Sequence, residues 1–445
     1  MASKTFGRFF FKTISVLAFC AVSTYALFLA YGYNVDLQHR NIQKTSIIDV
    51  VNKYPDMRVY LDDKLIGNSL PVQIQGLLPG FYHLSLQKLG YLPWSRKLEV
   101  QTDFVTKVDD ALLVPEHPDS LLQQLVHFPL GSRYFFSKDF FIVLSPGSDY
   151  LTLVDLLDQG TIKEEELKLS RPDIQDIQIY TPQKFLITFG DGTYEWVEFN
   201  GARFVDFSLP QGFTQIAFLP SANAAFFVQA GNLYRVPIDI LSTVSVKNLA
   251  SFLFIKDVEQ FDVHDNRLVY LSKGLAYSAD MSGKNIRLID RSHTIVFLRF
   301  VPFNITSGGL FIARTLDNKR SLYVVDAQGV VTLLTPQLKG DPDQDGSGHV
   351  LFCDESGNIF LYKPLVQKKI LVTTLPTDFL LLGFLLDDGH FLFVRQQQMF
   401  LADSTFTNIY PLFDDEKNTH YFMKDGAVFS LIDDKLKSLF FLPKN

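Results

Sequence analysis

Residues 178–209 read QIYTPQKFLITFGDGTYEWVEFNGARFVDFSL, and this stretch decides the fold of most of the chain. It contains four short runs of alternating or apolar residues, separated by turns rich in glycine, proline and asparagine. Residues 213–249 repeat the arrangement with TVSVKNL as the fourth run, and residues 260–289 repeat it again. Further copies begin near Tyr134, Ile295, His349, Phe379 and His420.

The copies begin about 30–54 residues apart, on average about 41 residues. Four short strands at such a period are typical of a β-propeller. Seven units are complete or nearly so, and the last unit has only three strands. The strand-like piece at residues 123–129, QQLVHFP, precedes the first unit and would complete the last blade and close the ring. The pattern predicts a seven- or eight-bladed propeller over residues 116–445, with no WD or kelch signature to assign its family.

The N-terminal region contains 21 uncharged residues from Thr13 to Tyr33, and a membrane-spanning helix needs about 20. Lys4, Arg8 and Lys12 precede it, which favours a cytoplasmic N-terminus. The sequence therefore predicts a single-pass protein of the cytoplasmic membrane. Its parts would be a cytoplasmic tail (1–12), a transmembrane helix (13–33), a linker or stalk (34–54) and an extracytoplasmic remainder.

Two alternatives exist for the apolar N-terminal run. A cleaved signal peptide would have a shorter apolar region followed by an A-x-A site, which the sequence lacks. Residues 17–20, LAFC, loosely resemble a lipoprotein cleavage box, although Phe19 stands where a small residue is needed.

Residues 55–115 form a separate compact β unit with several short strands and glycine-containing turns. Its regularly placed residues are Val59, Leu61, Asp62, Gly67, Leu70, Pro71, Leu78, Pro79, Gly80, Tyr82, Leu84, Lys88, Gly90, Tyr91 and Val100. In order and spacing this segment resembles a PEGA domain, whose pattern has a DG-type turn, G-x-TP, L-x-PG and k-x-GY. Asp63 replaces the usual turn glycine, and Leu70 replaces the usual threonine. The resemblance implies a small β-sandwich, common in bacterial and archaeal surface proteins, and implies no catalytic residue.

Composition limits the possible functions of the chain. Hydrophobic residues make up 47% and charged residues 20%, which is typical of a globular protein. Beyond residue 33, 38 basic side chains face 48 acidic ones, a net charge of −10. Such a surface repels phosphate backbones, so nucleic acid is not an expected partner. Cys20 and Cys353 lie far apart in the sequence, so we expect no structural disulfide.

One acidic motif has the spacing of a cation loop. Asp341, Asp343 and Asp345, followed by Gly346, fit the first half of a D-x-D-x-D-G calcium loop, in which alternate carboxylates converge on one ion. Phe352 stands where an EF-hand would have its closing glutamate, so an acidic inter-blade loop is the alternative. Calcium is the one cofactor that the sequence suggests.

The sequence contains no catalytic motif. Its histidines lack metal-site spacing, and no Ser-His-Asp set is defined by sequence order alone. We therefore expect a cell-envelope binding or scaffolding protein whose propeller contacts another protein or a glycan. The alternative is a propeller enzyme, a lyase or glycosidase acting on envelope polysaccharide, with acids converging at the central channel.

Overall fold

The computed structural model shows two compact units, with the boundary after Pro118. It describes residues 14–27, 32–36, 41–52, 54–118, 123–137, 140–157, 161–181, 184–198, 203–208, 213–219, 223–244, 248–264, 267–290, 295–301, 309–326, 328–345, 347–386, 390–403, 406–414, 420–424, 427–432 and 434–440. The predicted cytoplasmic tail, residues 1–12, lies outside these ranges.

Residues 14–27 form the helix α1. At about 1.5 Å per residue the described part of this helix is about 21 Å long, whereas the hydrocarbon core of a bilayer is about 30 Å thick. Within the described ranges, no helix has both the length and the apolar character needed to cross a membrane. The prediction of a transmembrane helix at residues 13–33, and with it a single-pass location in the cytoplasmic membrane, is therefore wrong.

The described residues of the first unit form nine strands. They are β1 (Tyr33–Asp36), β2 (Asn41–Lys44), β3 (Ser46–Val50), β4 (Arg58–Leu61), β5 (Lys64–Gly67), β6 (Val72–Leu77), β7 (Gly80–Gln87), β8 (Trp94–Val100) and β9 (Val105–Val108). Strands β1 and β2 form a hairpin, and the others form two sheets in the orders β5-β4-β7-β8 and β6-β3-β9. One hydrophobic core, which includes Ile48, Leu84 and Trp94, joins the two sheets into a sandwich.

The linker expected at residues 34–54 is instead mostly strand. Strand β3 is central in its sheet, antiparallel to β6 and parallel to β9. Its burial alternates along SIIDV, and Ile48 and Val50 are completely buried. The expectation failed because a short apolar run such as Ile47 and Ile48 does not by itself distinguish a strand from a helical stalk.

The second unit consists of eight four-stranded antiparallel sheets within the described residues. The unit begins with strand β10 (Gln123–His127), which belongs to the last of these sheets. Blade one has β11 (Arg133–Phe136), β12 (Phe140–Leu144), β13 (Tyr150–Leu157) and β14 (Thr161–Lys168). Blade two has β15 (Ile174–Thr181), β16 (Lys184–Phe189), β17 (Thr193–Glu198) and β18 (Arg203–Ser208). Blade three has β19 (Phe213–Leu219), β20 (Ala224–Gln229), β21 (Asn232–Pro237) and β22 (Leu253–Lys256), with 3₁₀ turns at Ile238–Thr243 and Leu249–Phe252.

The remaining blades follow the same order. Blade four has β23 (Gln260–His264), β24 (Arg267–Ser272), β25 (Leu275–Asp280) and β26 (Arg287–Asp290). Blade five has β27 (Ile295–Val301), β28 (Gly309–Thr315), β29 (Arg320–Val325) and β30 (Val331–Thr335). Blade six has β31 (Leu338–Gln344), β32 (Val350–Asp354), β33 (Asn358–Lys363) and β34 (Lys368–Thr374), with a 3₁₀ turn at Pro364–Val366. Blade seven has β35 (Phe379–Leu386), β36 (His390–Arg395), β37 (Gln398–Ala402) and β38 (Ile409–Asp414). Blade eight has β39 (His420–Lys424), β40 (Ala427–Ile432) and β41 (Lys435–Phe440), completed by β10.

The closure of the ring follows the sequence-based prediction for residues 123–129. Strand β10 pairs antiparallel with β41, so a strand from the start of this unit completes the last blade. Gln124 lies opposite Lys437, and His127 lies opposite Lys435. Joining both ends of the propeller in one sheet leaves no blade with a missing strand, which protects the sheet edges.

The second strand of each blade is sandwiched between neighbouring blades, which explains its composition. Every residue of β12, FFIVL, is buried, as are the first five residues of β20 and of β36. Buried side chains of adjacent blades form shared hydrophobic clusters, for example between blades five and six around Leu322 and Phe352. Strands covered on both faces read as continuous apolar runs rather than as alternating ones.

Side chains also link the first strands of neighbouring blades. The Gln260 side chain accepts a hydrogen bond from the Leu298 N–H at 3.1 Å, and the Asp262 carboxylate accepts one from the Phe300 N–H at 2.7 Å. Similar bonds join Gln215 to Phe261 and Asp343 to Phe384. The first strand of each of these blades is an edge strand of its sheet, so each such bond satisfies a backbone N–H that has no partner in the sheet.

Two repeat boundaries differ from those expected. The sixth unit begins at Leu338 rather than near His349, because Asp341–Asp345 lie mostly in the bulged strand β31 and not in a loop. In blade three the fourth strand is Leu253–Lys256, whereas the predicted TVSVKNL segment contains the end of one 3₁₀ turn and the start of another.

Candidate functional site

A cavity of about 760 Å³ opens among the first strands of several blades and is the candidate site of the propeller. The first strands of blades one, five, six, seven and eight all contribute to its wall, so it lies at the channel side of the ring. Its lining is Phe136, Ser137, Phe297, Arg299, Phe300, Val301, Ile312, Arg314, Asn318, Arg320, Asp341, Pro342, Asp343, Leu382, His420, Tyr421, Phe422 and Met423. We call it the channel cavity.

Three arginines on blade five give the channel cavity a basic wall. Arg314 on β28 lies opposite both Phe297 on β27 and Arg320 on β29, so these residues form one row across three strands. Arg299 lies two residues after Phe297 on β27 and therefore shares its face, because side chains alternate along a strand. The guanidinium of Arg314 lies 5.0 Å from the centre of the Phe297 ring. This contact is within the range of a cation–π interaction and orients the arginine.

The three guanidinium groups differ in their partners. Arg320 forms an ion pair with Asp341, whose side chain is 84% exposed. Arg299 and Arg314 are exposed, and neither donates a hydrogen bond or forms an ion pair with another residue in the described part of the chain. A guanidinium is a fixed fork of N–H donors that suits carboxylates and phosphates. Arg299 attracts the Asp262 carboxylate electrostatically and Arg314 contacts the Phe297 ring, but the N–H donors of both remain available to a ligand.

The acidic wall of the channel cavity has a structural role. Asp343 accepts a hydrogen bond from the Phe384 N–H at 2.8 Å and so joins blades six and seven. Its carboxylate lies where a Cβ on Gly383 would be, and Gly383 has φ +146°. Glycine at position 383 thus lets the carboxylate approach the neighbouring backbone.

Aromatic rings form the opposite wall. The Phe136 ring centre lies 4.2 Å from that of His420 and 5.5 Å from that of Phe422, which joins blades one and eight. Phe136 is 37% exposed and therefore presents part of its ring to the cavity. The cavity combines arginine donors on one side with apolar rings on the other.

The structure separates the three carboxylates of the predicted calcium loop. Asp341 pairs with Arg320, Asp343 with the Phe384 amide, and Asp345 with the main-chain N–H and the Nδ1 of His349 at 2.7 and 2.9 Å. In the part of the chain that the structure describes, no group of three or more His, Cys, Asp or Glu is arranged to hold a metal ion. Calcium binding at these residues stays a prediction of the sequence, and a thermal-shift titration at millimolar calcium tests it.

The arginines of the channel cavity were not identified from the sequence, because they lie on three strands and share no motif. A signal was nevertheless present. Arg299 is a charged residue within the otherwise apolar run IVFLRFV, and a charge at such a position of an inner strand indicates an exposed or functional face. Among the histidines, His420 lies in the cavity, whereas His390 is 98% buried in β36.

Comparison with protein families gives a match within the first unit. Residues 45–113 match the PEGA domain family. Comparison with curated proteins gives no match. Among solved structures, Hsv2p of Kluyveromyces lactis is 10% identical with a TM-score of 0.38, over 61% of this chain and 92% of that one. Virginiamycin B lyase from Staphylococcus aureus is 13% identical with a TM-score of 0.36, over 72% of this chain and 98% of that one. BamB from Moraxella catarrhalis is 12% identical with a TM-score of 0.31, over 69% of this chain and 81% of that one.

These similarities to solved structures are too low to transfer any function. The match within the first unit extends from just before β3 to the end of β9 and beyond, in agreement with the sandwich that the structure shows. The chain therefore carries a PEGA domain at residues 45–113, followed by a β-propeller of unassigned family.

Proposed function

We propose that this chain is a binding protein whose propeller takes up an acidic segment of a partner protein in the channel cavity. The observation that carries the proposal is the pair of exposed guanidinium groups, Arg299 and Arg314, which line the cavity and form no hydrogen bond or ion pair with another described residue, although Arg299 attracts the Asp262 carboxylate electrostatically. Arginine binds carboxylates through paired hydrogen bonds that are stronger than those between neutral groups.

The net charge of the whole chain favours binding of an acidic partner at the channel cavity rather than elsewhere on the surface. The chain has a net charge of −7, so most of its surface repels an acidic partner. A basic wall within an acidic molecule attracts such a partner to one site and excludes it from others. Complementarity of this kind contributes mainly to specificity and to the rate of association.

The size and lining of the cavity suit a short peptide segment. A volume of about 760 Å³ lies within the usual range for a ligand site. The exposed part of Phe136 and the ring of Tyr421 offer apolar contact for the non-carboxylate parts of the segment. Aromatic rings and arginines are the residues that most often dominate binding at protein interfaces.

The chemistry of the lining favours binding over catalysis. Glycosidase-type chemistry needs a pair of carboxyl groups facing the substrate. Here Asp343 hydrogen-bonds the Phe384 amide and Asp341 pairs with Arg320, so each carboxylate already has a structural partner. Similar structures include a lyase as well as binding proteins, so these comparisons favour neither function.

Calorimetric titration of the full chain with a blocked tetraglutamate peptide tests the proposal. We expect Arg299→Gln and Arg314→Gln each to weaken binding by about tenfold or more, since a hydrogen bond to a charged group contributes about 1.5–3 kcal/mol. Binding should also weaken as salt rises from about 0.05 to about 0.5 M, because exposed charges are screened.

Two control variants make the test specific. Asp341→Asn removes a repelling carboxylate and releases Arg320, so this variant should bind the peptide more tightly than the unaltered chain. Lys273→Gln removes a positive charge of blade four outside the cavity and should leave binding unchanged. Equal loss in Lys273→Gln and Arg314→Gln, or no binding of the peptide by the unaltered chain, would overturn the proposal.

A further inference from the structure

A second cavity lies in the PEGA domain, and we infer that it binds an uncharged carbohydrate. It has a volume of about 670 Å³ and is separate from the channel cavity. Its lining is Asp56, Arg58, Asn68, Gln87, Lys88, Leu89, Tyr91, Pro93 and Glu116. We call it the sandwich cavity. This inference is independent of the function proposed for the propeller.

Three parts of the fold bring the sandwich cavity together. Arg58 at the start of β4 lies directly opposite Gln87 at the end of β7. The turn after β7 contains Gly90, whose φ of +80° permits the tight reversal that presents Leu89 and Tyr91. The Glu116 N–H donates to the Gly90 carbonyl at 3.0 Å, which holds the end of this unit against the turn.

The charges around the sandwich cavity are balanced. Arg58 and Lys88 are basic, and Asp56 and Glu116 are acidic. A site for an anion or a cation would carry an excess of the opposite charge, whereas this set has none. Each hydroxyl group of a sugar both donates and accepts hydrogen bonds, so it needs donors and acceptors side by side. A lining with both kinds of group fits a polyhydroxylated, uncharged ligand.

Three polar side chains of this cavity make no polar contact that would stabilise the fold. Arg58, Asn68 and Gln87 are exposed, and their side chains form no hydrogen bond or ion pair with other residues within the described ranges. Asn68 and Gln87 each carry an amide that donates and accepts at once. These groups can therefore exchange water for ligand hydroxyls without breaking an internal contact.

An apolar surface accompanies these polar groups. The Tyr91 ring packs 5.5 Å from that of Tyr54, and the Lys88 ammonium lies 5.0 Å from the Tyr54 ring centre and 5.6 Å from that of Tyr91. These contacts fix the orientation of Tyr91. Leu89 is 99% exposed and therefore packs against almost nothing among the described residues. A held tyrosine ring beside an exposed leucine provides the apolar contact that the C–H faces of a sugar ring require.

Saturation-transfer NMR on the full chain tests this inference, with cellotetraose, maltotetraose and chitotetraose as separate probes. We expect at least one probe to show transfer and to bind with a Kd of about 1 mM or tighter. The double variant Asn68→Ala/Gln87→Ala should weaken that binding about tenfold, because two amide contacts are lost. Tyr91→Leu, which keeps an apolar side chain but removes the ring, should reduce transfer to the sugar C–H groups.

Matched controls separate the sandwich cavity from the rest of the chain. Gln75→Ala removes an exposed amide of β6 outside the cavity and should leave binding unchanged. Arg314→Gln alters the channel cavity and should also have no effect. Absence of transfer from all three probes at about 10 mM, or tighter binding of tetragalacturonate than of every neutral probe, would overturn the inference. Equal binding by Gln75→Ala and by the double variant would also overturn it.

Discussion

Single residues of this molecule show how local backbone geometry determines which side chain a position accepts. Gly357, in the turn between β32 and β33, has φ +86° and donates its N–H to the Asp354 carbonyl at 3.0 Å. A Cβ at this position would overlap the carbonyl oxygen of Leu375. Gly192, between β16 and β17, has φ +76° and the analogous bond to Phe189, but a Cβ there meets nothing within 4 Å. Comparing an alanine substitution at Gly357 with one at Gly192 therefore separates the effect of backbone strain from that of steric overlap.

We predict that Gly357→Ala destabilises the propeller more than Gly192→Ala. The positive φ costs alanine about 1–2 kcal/mol at either position, and overlap with Leu375 adds about 1–3 kcal/mol at position 357 only. Urea unfolding followed by Trp196 fluorescence, in a Trp94→Phe background, measures both. Equal losses of free energy in the two variants would contradict the role assigned to the Leu375 carbonyl.

A second residue-scale prediction concerns the hairpin between β4 and β5. Asp62 and Asp63 both have positive φ, +46° and +62°, which is the geometry of a type I′ turn. The Asp62 carboxylate also accepts a hydrogen bond from the His83 N–H at 2.8 Å. Asp63 thus occupies the position where glycine is favoured, as its departure from the PEGA pattern suggested.

We therefore expect Asp63→Gly to stabilise the PEGA domain by about 0.5–1 kcal/mol, because glycine adopts the positive φ without strain. Asp63→Ala is the matched control, since it removes the same charge but keeps the strain, and it should not stabilise. Thermal unfolding followed by Trp94 fluorescence, in a Trp196→Phe background, compares them. A lower unfolding temperature for Asp63→Gly than for Asp63→Ala would show that the turn has another geometry.

At the scale of elements, the first strands of the blades are joined by side chains as well as by packing. Asp262 on β23 is the titratable member of this set near blades four and five. Burial raises the pKa of Asp262 to about 6, although the N–H groups of Phe300 and Val263 donate to its carboxylate at 2.7 and 2.8 Å. The folded chain therefore holds a proton on Asp262 more tightly than the unfolded chain does.

This difference predicts a pH dependence of stability. Between the unfolded pKa of 3.8 and the folded pKa of about 6, unfolding releases the proton, so the free energy of unfolding falls as pH rises through this window. Asp262→Asn does not titrate. Its stability relative to the unaltered chain should rise between about pH 4 and about pH 7 in urea unfolding measurements.

Gln260→Ala is the control, because Gln260 makes the same kind of inter-blade bond without titrating. The difference in free energy of unfolding between Gln260→Ala and the unaltered chain should not vary over this pH range. If the corresponding difference for Asp262→Asn were also independent of pH, Asp262 would not be the group that titrates.

The elements also show where sequence patterns were sufficient and where they were not. The apolar second strands and the turn-rich repeats predicted the propeller, because burial on both faces leaves a strong signal in strands such as β12. Strand β31 was missed because Asp341, Pro342 and Asp343 have loop-like chemistry, and only the neighbouring Arg320 and Phe384 explain acids in a strand. These partners lie on other strands, too far along the chain to be recognised from a local sequence pattern.

At the scale of the whole molecule, the propeller is closed by a strand from its beginning. Gln124 on β10 and Lys437 on β41 lie directly opposite each other although the chain between them passes through every blade. Opposed residues of an antiparallel pair have Cβ atoms about 4.5–5.5 Å apart, close to what a disulfide requires.

We predict that Gln124→Cys/Lys437→Cys, in a chain with Cys20→Ser and Cys353→Ala, forms an intramolecular disulfide on mild oxidation. The cross-link should raise the urea midpoint of the propeller, because it closes a very long loop in the unfolded chain. Gln124→Cys/Lys369→Cys places the second cysteine on β34 of blade six and is the control. Efficient cross-linking of the control pair, or none of the first pair, in non-reducing electrophoresis would contradict the closure.

The candidate site shows the limit of sequence reasoning most clearly. The PEGA-like turns and the closing strand were predicted from order and spacing. The row of Arg299, Arg314 and Arg320 was not, since it exists only after three strands are aligned in register. The predicted membrane anchor failed for a different reason, because an uncharged run of sufficient length does not by itself require a membrane-spanning helix, and none is found among the described residues.

The most direct measurement is a crystal structure of the chain with the blocked tetraglutamate peptide. We predict peptide carboxylates within hydrogen-bonding distance of the guanidinium groups of Arg299 and Arg314, and apolar contact with Phe136. A structure with the peptide bound at another surface while the channel cavity holds only water would contradict this prediction.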